Sequence, residues 1–187
     1  VERRFEEDGA TVEFANRGIP GYVLSQAFLD LSHEIGRDDI LGTFIDDIAP
    51  FIPSNSTHVS IFAGGNGANL IGQAIRAGRA GSNIAGYVDQ HVNQFGTDLV
   101  ALITRLRTRA PNARIVAMNL PNLAAAPYVN ALSLAERGIL QRIVVGMTDR
   151  INGLAEQGVV LDEVAVRPGG GVVVLQRQPE AEGRHLR

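Results

Sequence analysis

The sequence predicts an α/β fold on a mostly parallel sheet. Short β-branched runs, such as Thr57–Phe62 and Ala113–Met118, alternate with longer segments of helical period, of which Ile84–Arg109 is the clearest. Each run is cut off by Gly, Asn or Pro. The 187 residues suit one domain with a full core, and no linker or internal repeat divides them. Strands alternating with helices imply βαβ units and right-handed crossovers.

Taken in order, Val1–Gly9 reads as the end of a helix stopped by Gly9. Thr11–Ala15 alternates apolar and polar residues and reads as a short strand, broken by the turn residues Asn16–Gly21. Tyr22–Glu34 carries Val23, Ala27, Leu31 and Ile35 at helical spacing. A second helical piece follows Asp38, with Ile40, Leu41, Phe44, Ile45 and Ile48 on one face, and Pro50 and Pro53 end it. Thr57–Phe62 is a buried strand running into the loop Ala63–Gly67, and Leu70–Arg79 a short helix. Ile84, Val88, Val92, Phe95, Leu99, Leu102, Ile103 and Leu106 form one apolar stripe on the longest helix, which Pro111-Asn112 stops. Ala113–Met118 is the next strand and Asn119–Asn122 the loop at its carboxyl end. A further helix carries Leu140, Ile143, Val144, Met147, Ile151 and Leu154. Gly158 caps it, and Val159–Leu161 begins another strand. Arg167–Arg187 has no helical period and reads as an irregular tail.

Composition narrows the function. The net charge of −3, with no basic stripe, argues against a nucleic-acid partner. With no Cys, thiol catalysis, disulfides and Cys-based zinc sites are excluded. No apolar run is long enough for a transmembrane segment. All 17 basic residues are Arg, so the phosphate-loop motif that ends in Gly-Lys is absent. Gly64-Gly65-Asn66-Gly67 is not a dinucleotide fingerprint either, because the third Gly would fall at Asn69. No His, Asp and Glu residues cluster at ligand spacing, so neither a metal site nor a cofactor is expected.

In parallel α/β sheets, ligands bind beyond the carboxyl ends of the strands. That rule selects Asn16–Gly21, Ala63–Asn69 and Asn119–Asn122. An Asn side chain held by a tight Gly turn can donate to an oxyanion. The histidines other than His185 are weaker candidates: His33 at a solvated or partly buried position on a helix, His58 structural inside a strand, and His91 at the rim of the apolar stripe. Asp38-Asp39 and Asp46-Asp47 fit helix starts or exposed positions.

In order and spacing these segments resemble the GDSL/SGNH hydrolases, a family of esterases and lipases. Asn16-Arg17-Gly18-Ile19-Pro20-Gly21 is similar to that family's second block, and Ile61-Phe62-Ala63-Gly64-Gly65-Asn66 to its third. Leu99–Leu120 resembles the helix, Pro-Asn-Ala turn and strand that lead into a Leu-Pro loop. The resemblance covers roughly residues 5–165. It implies a flavodoxin-like three-layer α/β/α sandwich with a parallel sheet, whose first strand is missing here. Residues 1–166 would be this domain, incomplete at its N-terminus, and 167–187 a degenerate or truncated last block.

The mechanism so implied is acyl transfer to water by Ser, His and Asp or Glu, on a small-molecule ester. Gly21 matches the backbone donor of the oxyanion hole and Asn66 the side-chain donor. The nucleophile would lie upstream of Asn16 and is absent from the chain. Ser25, Ser56 and Ser60 are expected on a helix, at a loop start and in mid-strand, not at a strand-to-helix elbow. The acid–base pair would be Glu182 and His185, an E-x-x-H where the family has D-x-x-H. Gly67 replaces the family's Asp and so removes a carboxylate that would brace the loop. Two alternatives remain: a non-catalytic SGNH-like domain that binds carbohydrate or acyl groups, and an unrelated flavodoxin-like binding or regulatory domain.

Overall fold

The computed structural model describes residues 13–156, 164–167 and 171–174. The β-branched runs pair first. β1 (His58–Ile61) and β2 (Arg114–Ala117) lie parallel, with His58 opposite Arg114 and Ile61 opposite Ala117. The ladder gains one bond at each end: Arg114 N–H donates to the Thr57 carbonyl (2.8 Å) and Met118 N–H to that of Ile61 (2.9 Å). Two parallel strands need a long crossover. Helices α3 (Gly65–Arg76) and α4 (Ile84–Arg109) supply it. The architecture is thus mixed helix and strand with a two-stranded parallel sheet; β1, expected to be buried, has only Ile61 buried.

The 26 residues of α4 make it the spine of the core. Asn83 caps it by accepting from Gly86 N–H, and Arg107 and Arg109 stand in its last turn, where cations suit the dipole. Val88, Val92, Phe95, Leu99, Leu102, Ile103 and Leu106 are buried as the stripe requires, whereas Ile84 is largely exposed in the first turn. Helix α5 (Leu134–Glu156) packs along α4. It starts with a reciprocal cap: Glu136 N–H donates to Ser133 Oγ (3.2 Å), and Glu136 Oε2 accepts from Ser133 N–H (2.8 Å). Gly146 lets the two helices approach, since a Cβ there would lie 3.1 Å from Val92. Phe28, Phe95, Leu70, Ile71, Leu99, Ile103, Ile115, Ile143 and Met147 are the large, fully buried side chains around which these elements close.

Several elements differ from the sequence reading. Glu13–Ala15 are exposed and belong to no strand, so the run Thr11–Ala15 is not a strand over these residues; Thr11 and Val12 lie outside the described ones. Helix α1 runs only over Gln26–Glu34. Tyr22–Ser25 is extended instead, because backbone partners on Gly42–Ile45 claim it. Val23 N–H donates to the Gly42 carbonyl (3.2 Å), and Phe44 N–H to that of Val23 (2.9 Å). Val23 and Thr43 form an isolated parallel bridge. The helical piece expected after Asp38 shrinks to α2 (Phe44–Asp47) and a 3-10 turn, Ala49–Phe51. Thr43 accounts for the late start, as its hydroxyl accepts from Asp46 N–H (3.1 Å) and caps α2 there. Helix α3 begins at Gly65, five residues before the expected Leu70.

Further along, Leu123–Ala125 and Pro127–Val129 form 3-10 turns ahead of α5. Gly158 and Val159–Leu161, expected as a helix cap and a strand, lie outside the described residues. Within the stretch expected to be irregular, β4 (Gly171–Val174) pairs antiparallel with β3 (Val164–Arg167). Among the described residues, no helix is long and apolar enough to cross a membrane.

The turn from β1 into α3 depends on Gly64, whose φ is +114°. A Cβ there would stand 2.9 Å from the Phe95 ring and 3.3 Å from Leu120. Both the backbone and the space exclude a side chain. Gly64→Ala is expected to destabilise the fold by roughly 2–3 kcal/mol and to lower Tm in a thermal melt. An unchanged Tm would mean that Phe95 yields and the turn relaxes.

Candidate functional site

The first loop is shaped by its own residues. Asn16 Oδ1 accepts from Gly18 N–H (2.9 Å), an Asx turn. Pro20 and Gly21 then occupy the centre of a tight turn closed by Tyr22 N–H donating to the Ile19 carbonyl (3.2 Å). Gly21 has φ +86°, as the third position of a type II turn demands. Among the described residues, the Gly21 N–H has no hydrogen-bond acceptor.

The second loop meets the first through Asn66. With Gly64 as cap, Asn66 is the second residue of α3, exposed at the helix start and not in a free loop. Its Nδ2 donates to the Tyr22 carbonyl at 2.8 Å, across 44 positions of sequence. An amide nitrogen carries two protons, so one donor remains. The first-turn N–H groups of α3 have no partner within the helix, and the dipole favours negative charge beside them. The third loop joins at Leu120, which is buried and lies against Gly64. Tyr22, directly after the first loop, and Leu120 of the third therefore both meet the Gly64–Asn66 turn that follows β1.

Gly67 is explained by packing. It is buried in the first turn of α3, and a Cβ there would lie 3.2 Å from the Phe28 ring of α1. A side chain, and a carboxylate above all, would be pressed into an apolar contact. The loop is braced by that ring and by Asn66, not by an acid at position 67.

The remaining candidates fall elsewhere. Glu182 and His185 lie outside the described residues. Of the described histidines, His33 is exposed on α1 and His58 is exposed beside Thr57 Oγ1 at 3.1 Å. His91 is half-buried, edge-on to Tyr87 (ring centroids 4.4 Å apart) and 6.4 Å from the Phe28 centroid. Among the described residues, no histidine is hydrogen-bonded to a serine. None of their His, Asp and Glu residues form a group that could hold a metal ion.

One polar pair escapes the sequence reading. Ser25 is not on a helix but at the N-cap of α1, and its Oγ donates to Asp98 Oδ2 at 2.5 Å. Both are buried, at 6% and 8% exposure. The signal was present, since Asp98 sits three residues after Phe95 and four before Leu102, on the apolar stripe itself. A lone acid on a buried face needs a partner.

Compared with family models, with curated proteins and with solved structures, the chain finds no match in any of the three.

Two measurements probe this region. Gly67→Asp is expected to destabilise the protein by roughly 1–3 kcal/mol through the Phe28 contact, read as a lower Tm. A wild-type Tm would mean that Phe28 can withdraw. Burial holds the His91 imidazole below its ordinary value, against the raising effect of Glu34. The unfolded chain, with a His near pH 6.5, then takes up this proton first. Stability contributed by neutral His91 is complete above about pH 6.5 and is lost as pH falls through that value towards the folded pKa. Tm is expected to fall as pH drops below about 6.5, and less steeply in His91→Gln. Equal slopes in the two proteins would remove His91 as the cause.

Proposed function

We propose that the chain forms the oxyanion-binding part of a GDSL/SGNH-type ester hydrolase, with a flavodoxin-like three-layer sandwich as its full architecture. The observation that supports this most is the Asn66 bond to the Tyr22 carbonyl, which sets the side-chain donor beside the Pro-Gly turn that presents the Gly21 N–H. Two donors of different kinds, from segments far apart in sequence, are linked by that bond, and Asn66 follows the carboxyl end of β1, the side on which parallel sheets bind ligands. The start of α3 adds a favourable field for a developing negative charge. The reaction is attack of a serine hydroxyl on an ester carbonyl. An alkoxide-like oxygen forms, is held by Gly21 and Asn66, and collapses with loss of the alcohol; water then releases the acid.

On this reading the nucleophile lies outside these 187 residues, and Ser25, buried and committed to Asp98, does not take its place. Glu182 and His185 are the proposed acid–base pair. The substrate is a small-molecule ester, with no part for nucleic acid.

The test uses a protein in which these residues are joined to the serine-bearing block that this reading requires, with p-nitrophenyl acetate as substrate. Asn66→Ala is expected to lower kcat by ~10²–10³ with little change in KM, because the donor acts mainly in the transition state. The lost Tyr22 bond adds a stability cost of about 1 kcal/mol. A wild-type kcat in the folded fraction, with only Tm lowered, would reduce Asn66 to a staple and favour the non-catalytic binding domain.

A further inference from the structure

Among the described residues, Asp98 is the only charged residue in the buried set. Its two oxygens are both used. Oδ2 accepts from Ser25 Oγ at 2.5 Å, and Oδ1 from Gln94 Nε2 at 2.9 Å, one turn back on the same helix. Gln94 thus helps to hold the carboxylate towards α1.

Ser25 makes an unusual exchange. At an N-cap, a serine hydroxyl ordinarily accepts from an N–H two or three residues on. Here the hydroxyl caps nothing and donates instead to a residue 73 positions away. A local bond has been given up for a tertiary one. The consequence is a fixed direction for Ser25 and for the extended arm that precedes it.

That arm is held at three places. Asn66 takes the Tyr22 carbonyl at 2.8 Å. Val23 and Leu24 bond along Gly42–Ile45, the last link being Ile45 N–H to the Leu24 carbonyl at 3.2 Å. Asp98 takes Ser25. The first of these needs the arm in place before Asn66 can be oriented, and the last is the only one anchored in the buried stripe of the longest helix.

We infer that Asp98 is a positioning residue, which anchors through Ser25 the arm that carries the Gly21 N–H and orients Asn66. What those donors act on rests on the ester-hydrolase reading; the anchoring rests on the hydrogen bonds. Asp98 acts through Ser25 and touches no substrate itself.

The test uses the 187-residue chain and reads residue-level amide exchange together with the NMR signals of the Asn66 side-chain NH2. Asp98→Leu and Ser25→Ala are expected to speed exchange at least tenfold at Val23, Phe44 and Ile45 and to shift the Asn66 NH2 signals. Exchange at Ile143, Val144 and Met147 in α5 should stay as in the wild type. Asp98→Asn should behave as the wild type, since its carbonyl oxygen still accepts from Ser25. Ser25→Ala removes one oxygen only and decides the matter if Asp98→Leu does not fold. Uniformly faster exchange in Ser25→Ala, or wild-type exchange at the arm, would overturn the inference. So would an Asp98→Asn arm as loose as that of Ser25→Ala. The functional reading fails separately: a kcat insensitive to Asn66→Ala removes the oxyanion role and leaves the exchange pattern untouched.

Discussion

The turn at Gly64 is the constraint on which the site depends. A backbone at φ +114°, with the Phe95 ring and Leu120 where a Cβ would be, admits no other residue. Because the chain reverses there so tightly, α3 starts at the very next residue. Asn66 then falls in its first turn, one residue from the buried Gly67 and within reach of Tyr22. A wider turn would delay the helix and carry Asn66 away from the first loop.

Helix α4 sets both halves of the site from one face. Phe95 closes over Gly64, and Asp98, nearly one turn on, holds Ser25. Residues three apart on a helix point to the same side. One rigid element therefore registers the second loop by packing and the first by a hydrogen bond. The same helix carries His91 against Phe28, and Phe28 covers Gly67. Helix α1 thus touches α3 through Phe28 and α4 through Ser25. On the proposed ester-hydrolase reading such placement suits an oxyanion hole, whose donors act without reorganising as charge develops.

The departure at Gly67 follows from that packing. In the family that the sequence resembles, an Asp follows the Asn. Here the same place is roofed by an aromatic ring, and the bracing comes from the Tyr22 carbonyl and from apolar contact. The missing carboxylate therefore does not leave Asn66 loose.

The alternation of β-branched runs with helical periods determined α4 and the β1–β2 pair almost to the residue, because both signals are local: a stripe of seven buried positions, and four-residue runs cut off by Gly or Asn. Turn chemistry, carried by Asn, Pro and Gly, marked the three loops, and within them Gly21 and Asn66 were chosen by the family resemblance. Spacing misread whatever depended on distant partners. Val23 keeps helical spacing with Ala27 and Leu31, yet the Gly42–Ile45 backbone draws it into an extended arm. Leu70 looked like the start of α3 because its first five residues lack a continuous apolar pattern; Phe28 and Phe95, from two other helices, supply the surfaces that bury that turn. The Ser25–Asp98 bond joins residues 73 apart, and no periodicity reports a partner at that range. Local propensity and spacing settled the long helices and the β1–β2 pair, but not Glu13–Ala15, which form no strand, or Gly171–Val174, which do. Only tertiary packing decided where the elements begin, because a buried hydroxyl, carboxylate or carbonyl must find its partner wherever the fold provides one.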